Sequence, residues 1–111
     1  MGWWIFQSKE GRLDDRIVNL QIKISKLQED LANWKRRLRV AKDGIVTCES
    51  RLWRDKDMKS HDKCIAKETA EIEICEKKIN NINGTLSILK EKLDKKKEER
   101  EEFLNQAKLA A

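Results

Sequence analysis

The fold is decided by residues 13–52, which read LDDRIVNLQIKISKLQEDLANWKRRLRVAKDGIVTCESRL. Largely apolar residues recur in this stretch at alternating steps of four and three. These positions are Leu13, Ile17, Leu20, Ile24, Leu27, Leu31, Trp34, Leu38, Ala41, Ile45, Cys48 and Leu52. This spacing is a heptad repeat, which places every one of these side chains on the same face of an α-helix. With Leu13 at heptad position d and Ile17 at position a, the phase continues across Gly44, so the pattern predicts one uninterrupted helix.

A second stripe follows in the C-terminal half of the chain, again with steps of three and four. Its positions are Ile65, Glu68, Ile72, Cys75, Ile79, Ile82, Leu86, Leu89, Leu93, Lys96, Arg100, Phe103, Ala107 and Ala110. The stripe is strongest between Ile72 and Leu93, because polar residues interrupt it on either side of that part. The repeat predicts a second long helix.

The two stripes are out of phase, because Leu52 and Ile65 are 13 residues apart where a continued repeat would give 14. One residue turns a helix by about 100°, which would carry the second stripe off the face of the first. The polar segment between the stripes contains Ser60 and Asp62, either of which could cap a new helix. We therefore predict a turn over residues 55–62. The chain would then be an all-α, long two-helix antiparallel coiled-coil hairpin, packed into an oligomer or a larger helical assembly.

The alternative is a single long helix in a parallel coiled coil, since residues 55–62 contain neither Gly nor Pro. For the hairpin, the predicted parts are an aromatic N-terminal segment (residues 1–11), a basic first helix (12–54), the turn (55–62) and a second helix (63–110). The formal net charge is +5. Residues 9–54 hold twelve bases against seven acids, whereas residues 55–111 hold thirteen of each. The positive charge therefore belongs to the first helix.

The composition favours an extended helical protein. Charged residues make up 41% of the chain, and there are four Gly and no Pro, whereas an average soluble domain is about 25% charged. So few turn residues exclude a collagen, an all-β sandwich and a loop-rich disulfide scaffold. Leu, Ile, Val and Phe number 27 of 111 residues, which is above the level typical of disordered chains.

Three cysteines without an export signal predict free thiols in a reducing compartment, so we expect a cytoplasmic protein or a part of an intracellularly assembled particle. No apolar run is long enough for a membrane-spanning helix. A hairpin could bring Cys48 near Cys64 and His61, which allows a disulfide or a Cys₂His metal site as alternatives. The paired Cys-x-x-Cys spacing and a clear fourth ligand are absent, however. We expect no metal site, no cofactor, no catalytic residues and no enzymatic activity.

Two groups of apolar residues lie outside the stripes and predict contacts with a partner. The first group, ahead of the first helix, is Trp3, Trp4, Ile5 and Phe6. The second group, on the outside of the two helices, is Val18, Ile22, Ile74 and Ile88. The first group either folds back onto the open end of the hairpin or inserts into a pocket of a partner. Trp and Phe are residues that carry binding energy in buried pockets, and we adopt the role of a docking element. A repeated line of exposed apolar residues indicates contact with a second copy or another protein.

A basic patch occupies the middle of the first helix and consists of Lys35, Arg36, Arg37, Arg39 and Lys42. The ordinary role of such a cluster is a solvated helix face, or pairing with acids on the second helix. Candidate acids are Glu68, Glu71, Glu73 and Glu76, or the run Glu98, Glu99, Glu101 and Glu102; in a hairpin that turns near Met58, the acids at 71–76 lie within reach. Exposed pairs of this kind contribute little energy but help to choose the register of the helices.

Together these patterns predict a non-enzymatic structural or adaptor coiled-coil protein that acts through helix–helix contacts in an oligomeric assembly. The expected partner is a second copy of the chain, another protein of a larger assembly, or both. One alternative is a peripheral membrane protein anchored by Trp3, Trp4 and the basic first helix. A further alternative is a nucleic-acid-associated protein that uses the basic patch. We do not expect nucleic acid as the main partner, because the patch is short and no aromatic-interleaved basic tail accompanies it.

Overall fold

The computed structural model describes the backbone of residues 2–110 and the side chains of residues 11–109. Within these residues the protein consists of two α-helices, α1 over Gly2–Asp55 and α2 over Met58–Ala110. The two helices pack antiparallel as a helical hairpin. The predicted hairpin is therefore confirmed, and the alternative of a single long helix is wrong.

Two helix boundaries differ from the predicted ones. The first helix begins at Gly2 rather than at residue 12. Residues 2–10 contain no Pro, and the single Gly11 that follows costs a helix only about 1 kcal/mol relative to Ala, which is too little to stop it. The connection is also shorter than the predicted turn over residues 55–62, because α2 already begins at Met58 and leaves only Lys56 and Asp57 between the helices.

The short connection works without Gly or Pro because each of its two residues caps one helix. Lys56 adopts a left-handed conformation with φ of 52°, and its N–H donates to the carbonyl oxygen of Leu52 at 2.8 Å. This is the hydrogen bond that closes a helix through a left-handed C-terminal cap. Asp57 caps α2, since its Oδ1 accepts a hydrogen bond from the N–H of Ser60 at 3.2 Å. The helix cap is thus Asp57, and the prediction of Ser60 or Asp62 was wrong.

The helices form two compact units. One comprises Glu29–Asn83 and contains the connection, and we call it the turn unit; the other comprises Met1–Gln28 and Gly84–Ala111, and we call it the terminal unit. In both units the stripe residues face the opposite helix. Those that are buried are Ala41, Cys48 and Cys75 in the turn unit and Leu13, Ile17, Ile24, Leu86 and Phe103 in the terminal unit. The other stripe residues up to Ala107 are half-buried, which confirms both heptad stripes.

The polar members of the second stripe reach the margin of the seam instead of filling it. Glu68 lies against Gly44, where a Cβ atom added to the glycine would lie 2.6 Å from the Cδ of Glu68. The missing side chain of Gly44 therefore makes room for a carboxylate on the facing helix. In the terminal unit, Arg100 forms an ion pair across the hairpin with Asp14.

A disulfide joins the two helices of the turn unit. It links Cys48 and Cys64, whose Cα atoms are 5.8 Å apart, within the range that disulfides require. The expectation of free thiols was therefore wrong for these two residues, and among the described residues only Cys75 is a free thiol. The physical reason lies in the hairpin register, which places Cys64 at the edge of the seam opposite Cys48.

Candidate docking surfaces

The four apolar residues predicted to lie outside the hairpin are all exposed. The exposed fractions of these residues are 49% for Val18, 47% for Ile22, 48% for Ile74 and 55% for Ile88. In heptad terms they occupy positions b, f, c and c, away from the a and d positions that form the seam. Their exposure makes them available to further helices, and their role as partner contacts stays a prediction.

The side chains of the N-terminal aromatic group lie outside the described residues. This group is Trp3, Trp4, Ile5 and Phe6, and its backbone belongs to α1. Their docking role stays a prediction.

An apolar cluster beside the connection adds to the exposed residues. Trp53 is 85% exposed, and with Leu52, Lys56 and Met58 it borders a groove of about 310 Å³. The off-stripe position of Trp53 already indicates exposure from the sequence. The position of Met58 at the start of α2 could not be predicted from the sequence, because Met58 falls inside the predicted turn over residues 55–62.

The basic patch is exposed along its whole length, and one of its members is tied to α2. All five of its residues are exposed. The Nε of Arg37 donates to Glu71 Oε1 at 2.9 Å, and its guanidinium carbon lies 4.5 Å from the centre of the Trp34 ring. The ammonium of Lys78 lies 5.8 Å from the same ring. The expected pairing with an acid of the second helix is confirmed for Arg37 and Glu71, and a cation–π contact accompanies it.

The free thiol of Cys75 is fully buried beside this ion pair. Its Sγ donates to Glu71 Oε1 at 3.9 Å. Burial raises the pKa of the Cys75 thiol, and the negative charge of Glu71 raises it further, whereas the positive charge of Arg37 lowers it. A neutral thiol packed in the seam behaves as a small apolar residue, so this site is structural and not nucleophilic.

The disulfide borders a small cavity of about 80 Å³ at the turn end of the seam. His61, Arg51 and Asp57 also line it. The Nδ1 of His61 is buried without a hydrogen-bond partner, and it lies 3.7 Å from Asp62 Oδ1. The two sulfurs are bonded to each other, so the alternative of a Cys₂His metal site loses two of its three donors. Among the described residues, no three side chains of metal-binding type are grouped closely enough to hold an ion.

A groove between α1 and α2 in the terminal unit is lined by five bases and one acid. We call it the cationic groove; its volume is about 470 Å³, and it is lined by Arg16, Asn19, Leu20, Lys23, Lys92, Lys95, Lys96 and Glu99. Its one acid is already engaged, since Glu99 Oε2 lies 3.1 Å from the Lys96 ammonium. Lys23 and Lys92 both occupy heptad position g, where facing helices usually carry opposite charges. Lys92, Lys95 and Lys96 lie close together in the sequence of α2, whereas Arg16 and Lys23 come from the distant α1, so the sequence alone does not bring the five bases together.

Two further observations concern membrane-spanning segments and similarity to known proteins. Within residues 2–110, neither helix contains a segment that is long and apolar enough to cross a membrane. The chain matches no protein-family model, no curated protein and no solved structure.

Proposed function

We propose that the chain is a non-enzymatic structural or adaptor coiled-coil protein that assembles through helix–helix contacts into an oligomer, alone or within a larger assembly. The observation that carries this proposal is the exposure of Val18, Ile22, Ile74 and Ile88 outside a seam that the stripe residues already fill. A two-helix hairpin buries a single seam, so it is thinly stabilised by itself. Covering these half-exposed side chains with another helix would contribute roughly 1 kcal/mol each.

The shape of the described surface also favours binding over catalysis. The cavity beside the disulfide is about 80 Å³, whereas small-molecule sites usually measure about 300–1,000 Å³. Grooves of about 310 to 570 Å³ are present, but they are open to solvent, and the two in the terminal unit are lined mostly by charged residues of both helices, whereas small-molecule sites are concave and mostly apolar. Such surfaces suit contacts with other helices.

The proposal is tested by the molar mass of the oxidised chain, measured by sedimentation from low to high micromolar concentration. We expect self-association that is lost when the four residues are replaced by polar ones of similar size, as Val18→Thr, Ile22→Gln, Ile74→Gln and Ile88→Gln. A control variant with Ala32→Gln and Ala66→Gln, at exposed positions at least eight residues along the chain from each of the four, should associate like the unaltered chain. An unaltered chain that stays monomeric over the whole range contradicts the proposal.

The N-terminal docking element is tested by removing residues 1–6. Under the proposal the truncated chain assembles more weakly, because the aromatic residues no longer fill a pocket on a neighbour. If the truncation leaves the molar mass unchanged but abolishes binding to vesicles of anionic lipid, the peripheral membrane alternative replaces the docking role. If it changes neither, both anchoring ideas are wrong.

The disulfide bears on the compartment in which the protein works. The expectation of a cytoplasmic location rested on free thiols, and Cys48 and Cys64 are joined. Disulfides persist in oxidising compartments and are rare in the cytosol, so an oxidising location is the better proposal. Quenching cells with acid and then alkylating the denatured protein should label Cys75 alone. Labelling of all three cysteines would support the reducing compartment.

A further inference from the structure

Four residues of α2 in the terminal unit form an ordered line on the surface. Ile88, Lys95, Glu102 and Leu109 are spaced by seven residues and share heptad position c. All four are exposed, and Leu109 is exposed by 88%. Residues seven apart in a coiled coil stay on one side of the helix and follow each other at about 10 Å. Along the helix the order is apolar, basic, acidic, apolar.

When two such lines run in opposite directions, each apolar residue faces an apolar residue and each base faces an acid. We infer that the line, which we call the c-line, binds a second copy of the chain in the antiparallel orientation; the inference rests on the proposed self-assembly. In this pairing Ile88 packs on Leu109 of the partner subunit, and Lys95 lies opposite Glu102 of the partner subunit. A two-fold axis makes each contact occur twice.

The charges select the antiparallel orientation over the parallel one. In a parallel pair, Lys95 would face Lys95 of the partner subunit, and Glu102 would face Glu102 of the partner subunit. Like charges in facing positions destabilise a helix pair, and charge pairs of this kind ordinarily set the orientation of coiled coils. Only the antiparallel pair turns both facing positions into attractive contacts.

The cationic groove fits the same pairing. The two-fold axis passes between residues 98 and 99, so Glu99 of one copy comes close to Glu99 of the partner subunit. By itself this contact would be repulsive. The groove beside Glu99 is lined by five bases and no other acid, so each copy has surplus positive charge at the place where the partner adds a carboxylate. The surplus of bases within one hairpin is thus matched in the dimer.

The c-line is tested by exchanging its charges in the full-length oxidised chain. Lys95→Glu or Glu102→Lys alone turns two attractive contacts into repulsive ones, so we expect the dissociation constant of the dimer to rise by about tenfold or more. The chain carrying both substitutions restores attraction at both places and should dimerise like the unaltered chain. Lys77→Glu, at an exposed position f, makes the same change of charge elsewhere and should have no effect.

Mixing the two single variants gives the most direct result. Each variant repels itself, but together they form attractive contacts at both places, so a mixture should form heterodimers in preference to either homodimer. This comparison is made between folded chains whose helix content is checked by circular dichroism. Native mass spectrometry of the mixture, with one chain isotopically labelled, measures the proportions.

The outcomes separate this inference from the proposed function. An unaltered chain that is monomeric at every concentration overturns both. An unaltered chain that self-associates, with single variants that bind equally well and mix at random, overturns the c-line alone. Single variants that keep the affinity of the unaltered chain and still favour heterodimers indicate a parallel pair, which also overturns the antiparallel c-line.

Discussion

Replacing Gly44 by Ala tests how the two helices of the turn unit face each other. A Cβ atom at this position would lie 2.6 Å from the Cδ of Glu68, and 2.7 and 2.9 Å from its two carboxylate oxygens. Non-bonded carbon atoms of folded proteins do not approach so closely, so the carboxylate of Glu68 would have to move away. Gly84 is the matched control, because it also lies inside a helix but an added Cβ would have nothing within 4 Å.

The magnitude follows from two opposing contributions. Gly→Ala inside a helix stabilises the folded state by about 0.8–1 kcal/mol, and Gly84→Ala should show this full gain. At Gly44 the gain is opposed by the displacement of Glu68, and forcing a side chain out of its preferred conformation costs about 0.5–1.5 kcal/mol. We therefore expect Gly44→Ala to leave the free energy of unfolding nearly unchanged. With Glu68→Ala already present, Gly44→Ala should recover a gain of about 1 kcal/mol.

The assay is urea unfolding followed by circular dichroism, with the disulfide intact. The unaltered chain, the two single variants and the double variant form a double-mutant cycle, and residues in contact give a coupling energy in such a cycle. We expect a coupling of about 1 kcal/mol between the positions of Gly44 and Glu68. If Gly44→Ala stabilises the chain as much as Gly84→Ala does and the coupling is zero, Glu68 does not lie against Gly44 and the register of the two helices is wrong.

Three further changes have defined outcomes. Lys56→Gly should raise the free energy of unfolding by about 1 kcal/mol, because Gly adopts the left-handed conformation of this residue without a steric penalty; thermal unfolding measures it. Reducing the bond between Cys48 and Cys64, which are 16 residues apart, should lower that free energy by about 3 kcal/mol, and Cys48→Ser should make unfolding insensitive to the reductant. The raised pKa of Cys75 means that the unfolded thiol ionises first, at its ordinary pKa of 9.0. Its contribution to stability is therefore complete below that pH and falls as the pH rises further. Unfolding curves at several pH values should show this decline in the unaltered chain and a smaller one in Cys75→Ala.

The sequence by itself determines the two helices and the face that each buries. Heptad spacing is a local property, because 3.6 residues per turn bring a, d and the next a to the same side whatever the partner is. Every described residue of both stripes is buried or half-buried for this reason. The loss of one residue of phase between Leu52 and Ile65 likewise predicts a reversal of the chain. The same periodicity predicts the exposure of apolar residues such as Ile74 and Ile88, because they fall outside positions a and d.

The tertiary structure decides which residues of α1 meet which residues of α2. In a hairpin, moving the turn by one residue shifts every facing pair by two, so the register depends on the connection. Lys56 and Asp57 cap their helices through a left-handed conformation and a side-chain hydrogen bond, and neither is required by the spacing of the stripes. This connection then determines the pairing of Cys48 with Cys64 and of Gly44 with Glu68. Those contacts join residues of different helices, so the spacing within one helix does not determine them; once a hairpin is assumed, the sequence offers the pair of Cys48 and Cys64 only as one alternative.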